Sequence, residues 1–149
     1  MQGEDYTHAF SATLRATSFR LLMAIAAGEK LKLEHFDVKN AFTQSDIDAE
    51  IYTRPPKGFE TKDKNGKPQV LKLIKSLYGT KQASRLWQLK LKDHLVNHMG
   101  FKCNDTDPCI FMKRDNHGGV MILGVYVDDI ILAHKNVKLD DFIKEFSGT

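Results

Sequence analysis

Residues Val120–His134 read VMILGVYVDDIILAH and decide the fold. Two apolar runs, Val120–Val125 and Ile130–Ala133, are rich in branched side chains and too short to span a membrane, so they predict buried β-strands. The four residues between them, Tyr126–Asp129, have the length of a hairpin connection. The sequence therefore predicts a hairpin with buried arms and two adjacent carboxylates at its tip.

The two carboxylates at this tip, Asp128 and Asp129, favour a bound cation. Neighbouring Asp side chains in a low-dielectric environment repel each other unless a positive charge lies close by. Hard divalent cations prefer carboxylate oxygens, so a metal ion is one interpretation. An ordinary polar turn is the alternative that this segment alone leaves open.

The composition is that of one globular domain over residues 1–149, with 42% hydrophobic and 28% charged residues. No apolar run reaches the length of a membrane span, and the N-terminal residues lack the layout of a signal peptide. The two cysteines, Cys103 and Cys109, do not suggest a disulfide framework. We therefore expect an intracellular protein with free thiols and no membrane partner.

The net charge of +3 hides an asymmetry along the chain. Residues 54–102 contain 12 Lys and Arg against 3 Asp and Glu, and both flanking parts are acidic. A basic segment beside clustered carboxylates suits a polyanion held near metal ions. A solvated, lysine-rich loop region is the alternative.

Helices and strands alternate along the chain. Leu31–Asp37 alternates like a strand, which places Leu31, Leu33, His35 and Asp37 on one face. The other predicted elements are a buried helix capped by Thr17 or Ser18 and ended by Gly28, a short helix at Ser45–Asp48, a hairpin around Asn65-Gly66 with Gln69–Ile74 returning, a long helix from Lys81 to Met99, a strand at Cys109–Lys113 and a helix through Leu139 and Phe146.

These elements predict an α+β fold in which an antiparallel sheet is backed by helices on one face. Arg20 is the one charge of the first helix, so we expect it in the interior with a carboxylate or phosphate partner. His94 and His98 have a spacing that can bind zinc, but the sequence suggests no third ligand nearby.

A strand that ends in Asp37 and a hairpin tip that carries Asp128 and Asp129 can meet in an antiparallel sheet. Three carboxylates around two Mg²⁺ ions form the arrangement that phosphoryl transfer needs. On its own, Asp37 is better explained as a helix-cap or turn residue, because Asn40 follows closely.

The chain resembles the reverse transcriptases of copia-type LTR retrotransposons, the RNA-directed DNA polymerase domain of a Pol polyprotein. The stretches that carry the resemblance follow one another in the family's order: YTHAF (residues 6–10), FDVKNAF (36–42), EIYTRPPKGF (50–59), KSLYGTKQASRLW (75–87), GFKCNDTDPCIF (100–111) and YVDD (126–129). The resemblance implies a right-hand polymerase palm with part of the fingers, incomplete at both ends and without a thumb.

The resemblance also implies roles for individual residues. Asp37, Asp128 and Asp129, with the backbone carbonyl of Val38, would hold two Mg²⁺ ions, or Mn²⁺ in their place. Phe42 would select dNTPs by the sugar, with an ordinary core phenylalanine as the alternative. Tyr78, Gly79, Gln82, Tyr126 and Val127 would contact template and primer. Arg15 and Arg20 are candidates for a triphosphate or template contact, with a structural salt bridge as the alternative.

The implied function is RNA-directed DNA synthesis from dNTPs on a primed RNA or DNA template. The implied partners include the thumb and RNase H parts of a parent polyprotein, and the implied location is cytoplasmic, in a virus-like particle, or nuclear. An inactive, truncated remnant that binds nucleic acid non-specifically is the alternative. A nucleotidyl cyclase is a third interpretation, which the SLYGTKQ motif (residues 76–82) disfavours.

Overall fold

The computed structural model describes residues 11–148, so the YTHAF stretch lies outside the described residues. The strands in this part are β1 (Lys32–Asp37), β2 (Tyr52–Thr53), β3 (Leu71–Lys72), β4 (Lys102–Cys103), β5 (Ile110–Arg114), β6 (Val120–Tyr126) and β7 (Asp129–Lys135). The α-helices are α1 (Ala16–Gly28), α2 (Ala83–Asp93) and α3 (Leu139–Ser147).

The main sheet is antiparallel throughout and has the strand order β1-β7-β6-β5-β4. The predicted central hairpin is confirmed, since β6 and β7 pair from Tyr126 opposite Asp129 to Val120 opposite Lys135. Leu123 and Leu132 lie opposite each other and are fully buried. The sheet is therefore built around the hairpin that the sequence predicts.

One face of the sheet carries the main core, under α2 and α3. The predicted long helix is confirmed in position, although its last part, His94–His98, is a π-helical turn. Its buried side chains pack with Phe142 of α3 against the sheet. These side chains are Trp87, Leu91, Leu95 and Met99.

Helix α1 covers part of the opposite face, where Leu22 and Ala26 pack against Ala133 of β7. The prediction that this helix is buried is wrong, because only these two of its residues are buried and Leu21 is 61% exposed. The sequence of α1 is apolar on all sides, but this pattern does not show how many other elements pack against the helix. Helix α1 also begins after Arg15, not at a Thr17 or Ser18 cap.

Residues 50–73 form a projecting two-stranded arm. Its base is the pairing of β2 with β3, and its tip is the turn at Asn65-Gly66, where Gly66 has φ = +79°. The predicted hairpin is confirmed, but its returning strand is shorter than Gln69–Ile74. Most residues of the arm are exposed.

The short helix predicted at Ser45–Asp48 is wrong. The helical turn is instead a 3₁₀-helix at Ala41–Gln44, which lies just before the predicted segment, and Ser45 is extended. Asp46 forms an isolated antiparallel bridge with Lys75, so backbone pairing replaces the helix that the side chains favour.

The architecture is a mixed α/β one, with helices beside an antiparallel sheet. The sequence predicted helices on one face, but α1 packs on the face opposite α2 and α3. Among residues 11–148, no helix combines the length and apolar character that crossing a bilayer requires.

Asp107 fastens the start of α1 to the loop before β5. Its carboxylate is buried and accepts hydrogen bonds from the backbone N–H groups of Arg15, at 3.1 Å, and Cys109, at 3.0 Å. Burial by itself raises the pKa of Asp107, but the hydrogen bonds from Ser18, Cys109 and Arg15, with the Arg15 charge, outweigh it and lower the pKa.

Asp107→Asn should lower the free energy of unfolding at pH 7 by about 1–3 kcal/mol. The carboxylate of Asp107 accepts a hydrogen bond at each of its oxygens, whereas an amide has a single acceptor oxygen. Since the pKa is lowered in the folded protein, the charge stabilises the fold above pH ~4 and this contribution is lost as the pH falls through the folded pKa. Urea unfolding at several pH values measures both effects.

The exposed neighbour provides the control, since Asp105→Asn should leave stability nearly unchanged. The difference in the free energy of unfolding between wild type and Asp107→Asn should shrink in acid. A difference that stays constant as the pH falls would contradict this role.

Candidate active site

Three acidic residues lie at one end of adjacent strands. Asp37 is the last residue of β1, Asp129 is the first residue of β7, and the two are direct partners in the antiparallel register. Asp128 occupies the turn immediately before β7. The sheet therefore brings together in its backbone the strand end and the hairpin tip that the sequence predicts to meet.

The carboxylates themselves are less closely grouped than the backbone. In the part of the chain that the structure describes, no three His, Cys, Asp or Glu side chains lie close enough to hold a metal ion. Asp129 borders a cleft of about 430 Å³ between α1 and the sheet, whereas Asp37 borders a separate cavity of about 510 Å³ beside Lys39 and Lys90. Asp37 and Asp129 are thus neighbours along the sheet that border different cavities.

His35 accounts for part of this arrangement. Its Nε2 lies 2.9 Å from Oδ1 of Asp129, within hydrogen-bond distance, across the β1–β7 pair. Both side chains are more than half exposed, so this contact contributes little to stability. The contact orients the Asp129 carboxylate, because it directs one of its oxygens along the sheet toward His35. The two-residue period of the strand predicts that His35 lies on the face of Asp37. It does not predict the contact of His35 with Asp129.

The turn between β6 and β7 is held from two sides. The indole N–H of Trp87 donates to the carbonyl oxygen of Val127 at 2.7 Å. The backbone N–H of Val38 donates to the carbonyl oxygen of Asp128 at 2.9 Å. Val127 adopts φ = +59°, a conformation that β-branched residues rarely take. The sequence gives no sign of the Trp87 contact, because α2 and the turn are distant in the chain.

The residues expected near the nucleotide are partly brought together. The ring of Phe42, in the 3₁₀-helix, packs at 4.4 Å between centroids against Tyr78, which is half exposed. Gly79 has φ = +96°, which a residue with a side chain would rarely adopt. Gln82 is buried at the start of α2, so its side chain is not a free surface contact in this structure.

The remaining predicted contacts lie on the α1 side of the sheet. Tyr126 is about half exposed and lines the cleft beside Asp129, while Val127 is half-buried in the turn. The prediction that Arg20 lies in the interior is wrong, because Arg20 is exposed on α1. Arg15 is also exposed, and the structure gives it a structural contact through its backbone N–H with Asp107.

The basic middle segment is partly neutralised by the acidic residues before it. Lys72 pairs with Glu50, Lys75 with Asp46, and Arg85 with Asp48. The hydrogen bond and charge of Lys75 hold the pKa of the exposed Asp46 carboxyl below its ordinary value. The lysines toward the tip of the arm are exposed: Lys57, Lys62, Lys64 and Lys67.

Two further groups show packing roles. The rings of His94 and His98 stack at 5.7 Å, and in the described residues they are not part of a metal-ligand cluster. Cys103 and Cys109 are free thiols, and burial raises the pKa of Cys109 to about 11, which leaves it protonated at neutral pH.

Comparisons with known proteins agree with one family. The profile of the family described as reverse transcriptase (RNA-dependent DNA polymerase) matches residues 1–148. The retrovirus-related Pol polyprotein from transposon TNT 1-94 of Nicotiana tabacum is 39% identical over 135 residues, which are 91% of this chain and 10% of that protein.

Other relatives have the same character. The Pol polyprotein from transposon RE1 of Arabidopsis thaliana is 36% identical over 131 residues, or 88% of this chain and 9% of the relative. The Ty1-DR4 Gag-Pol polyprotein of Saccharomyces cerevisiae is 27% identical over 135 residues, or 91% of this chain and 8% of the relative. No solved structure gave a significant match.

The chain spans about a tenth of the length of these polyproteins. The match of the family profile to nearly the whole chain confirms the resemblance drawn from the FDVKNAF, SLYGTKQ and YVDD motifs. This chain belongs to the reverse transcriptase (RNA-dependent DNA polymerase) family of retrotransposon Pol polyproteins.

Proposed function

We propose that this chain carries the catalytic centre of an RNA-directed DNA polymerase, in which a primer 3′-hydroxyl attacks the α-phosphate of a dNTP. The observation that carries the proposal is the pairing of Asp37 with Asp129 beside Asp128 in the turn. Family membership supports this assignment of the acidic end of the sheet. In this proposal the sheet with α2 and α3 is the palm, and the arm belongs to the fingers.

The donor set of the acidic end fits Mg²⁺ or Mn²⁺, since hard cations prefer carboxylate and carbonyl oxygens. Asp37 and Asp128 would hold the ions, with the Val38 carbonyl and Asp129 in support. When bound, such ions lower the pKa of an attacking hydroxyl and neutralise charge on the phosphates. Asp129 can contribute a second oxygen even while His35 remains beside the first.

The chain's own residues would position the substrates. Phe42, packed against Tyr78, would present its ring to the sugar of the incoming nucleotide, where a 2′-hydroxyl would clash with it. Tyr126 would lie against the primer end, because it is exposed on the face of Asp129. Gly79 would allow the backbone to approach the template, with Gln82 and Val127 supporting the same surface.

The exposed lysines of the arm would hold the phosphates of the template, a contact that does not depend on base sequence. Arg15 and Arg20, exposed on the α1 side, are proposed as secondary phosphate contacts. The proposed setting is an intracellular Pol polyprotein, in which thumb and RNase H parts would add affinity for primer and template.

A second candidate function is non-specific nucleic-acid binding by a remnant without polymerase activity. The exposed, basic arm favours it, because such a surface binds phosphates whether or not the acidic end holds metal. The two candidates differ in whether the acidic residues affect any reaction.

Asp128→Asn should lower primer extension on an RNA template by about 100-fold or more, because an amide keeps the shape of the side chain but removes the charge that holds metal. Extension is measured from single-turnover rates with Mg²⁺ and again with Mn²⁺. The matched control is Asp140→Asn, an exposed Asp on α3, which should extend at the wild-type rate.

Equal rates for wild type and Asp128→Asn, or no extension by either, would overturn the polymerase proposal for this chain. Binding of primer–template that persists without extension would then favour the second candidate.

Phe42→Ala should reduce the preference for dNTPs over rNTPs by about 10-fold or more, because the smaller side chain no longer excludes a 2′-hydroxyl. The measurement is the ratio of kcat/KM for dGTP and GTP opposite the same template base. Phe59→Ala, at a 75% exposed ring on the arm, is the matched control and should keep the wild-type ratio. An unchanged ratio in Phe42→Ala would contradict the role of this ring in sugar selection.

A further inference from the structure

We propose that Trp87 is a positioning residue for Asp128, acting through the hydrogen bond from its indole to the backbone of the β6–β7 turn. Its effect on metal binding rests on the proposed function, whereas its effect on the turn does not. Three features of the molecule support this role: the shape of the turn, the two hydrogen bonds that hold it, and the buried position of Trp87 on α2.

The turn has an unfavourable sequence for its shape. Tyr126 pairs with Asp129, so Val127 and Asp128 are the two central residues of a tight hairpin turn. Val127 has φ = +59° and Asp128 does not adopt a positive φ, which is the pattern of a type II′ turn. Glycine is the usual first central residue of this turn, and a β-branched residue is strained in that position. Contacts outside the turn must therefore hold it.

The alternative turn differs in one peptide plane. In a type I′ turn both central residues have positive φ, so the peptide group between them takes the opposite orientation. The oxygen of that peptide group is the carbonyl oxygen of Val127, which accepts the indole N–H of Trp87 at 2.7 Å. A rotation of the peptide group would break this hydrogen bond. Trp87 therefore selects the turn type that is observed.

The second anchor explains why the selection matters for Asp128. The carbonyl oxygen of Asp128 accepts the backbone N–H of Val38 at 2.9 Å, and Val38 directly follows Asp37. With Val127 held from α2 and Asp128 held from the end of β1, both peptide groups around Asp128 are fixed. The direction of its Cα–Cβ bond relative to the end of β1 is fixed with them.

Trp87 is suited to be a rigid donor. It is 5% exposed and belongs to the main core with Leu91, Phe111 and Val125. A buried indole N–H needs an acceptor, since leaving it unpaired in the core destabilises the fold. The same hydrogen bond thus gives the buried indole N–H an acceptor and orients the acidic turn.

The experiment separates the hydrogen bond from the bulk of the ring. Trp87 in the full 149-residue chain is replaced by 3-benzothienylalanine, which keeps the bicyclic shape and has sulfur in place of the indole N–H. Leu91→Ala, one helical turn further along α2, is the matched control for loss of stability in the same core. Thermal unfolding of both proteins is measured first.

The first readout is the turn itself, by the backbone NMR signals of Val127, Asp128 and Val38. Trp87 is the one tryptophan of the chain, so its indole N–H signal in the wild type is unambiguous and should exchange slowly with solvent. In the benzothienyl protein the turn signals should shift or broaden, while Leu91→Ala keeps the wild-type signals despite a lower Tm. Wild-type turn signals in the benzothienyl protein would overturn the proposal.

The second readout is the affinity for Mn²⁺, measured by electron paramagnetic resonance. Loss of one hydrogen bond should weaken binding about 5-fold in the benzothienyl protein and leave it unchanged in Leu91→Ala. An affinity equal to that of the wild type would contradict the link from Trp87 to Asp128. A wild-type protein that binds no Mn²⁺ would instead contradict the proposed function, and the turn signals would still decide the role of Trp87.

Discussion

The antiparallel register of β7 is the constraint on which the acidic end depends. Strand β7 pairs with β6 on one side and with β1 on the other, and Asp129 is the residue at which both pairings end. The pairing with β6 places Asp128 in the turn, and the pairing with β1 places Asp37 opposite Asp129. A slip of one residue would move the apolar side chains of β7 to the wrong face, so the buried core enforces the register.

The two faces of the sheet have different tasks. The face under α2 and α3 contains the main core, where Leu123 and Leu132 are fully buried, and this packing fixes the strands. The other face, which carries Tyr126 and Asp129, is only partly covered by α1 and borders an open cleft. Trp87 connects the faces, because it packs in the core and donates to the turn beside the acidic residues. A rigid core thus supports side chains that remain accessible.

Much of this arrangement could be predicted from the sequence where the pattern is local. The apolar runs around Tyr126–Asp129 predicted the hairpin, and the alternation in Leu31–Asp37 predicted the strand that carries Asp37. Features that depend on contacts between distant segments could not be predicted. Three features depend on which elements become neighbours: the contact of His35 with Asp129, the hydrogen bond from the start of α1 to Asp107, and the exposure of Arg20.

The most direct test of the account is where a paramagnetic ion binds. Mn²⁺ added at a tenth of the protein concentration should broaden the backbone amide signals of residues 36–38 and 127–130 before any others, because Asp37 and Asp128 lie at that end of the sheet. Broadening that begins at the exposed carboxylates of Asp46 and Glu50, or that is absent, would contradict the claim that the end of β1 and the β6–β7 turn form the metal site.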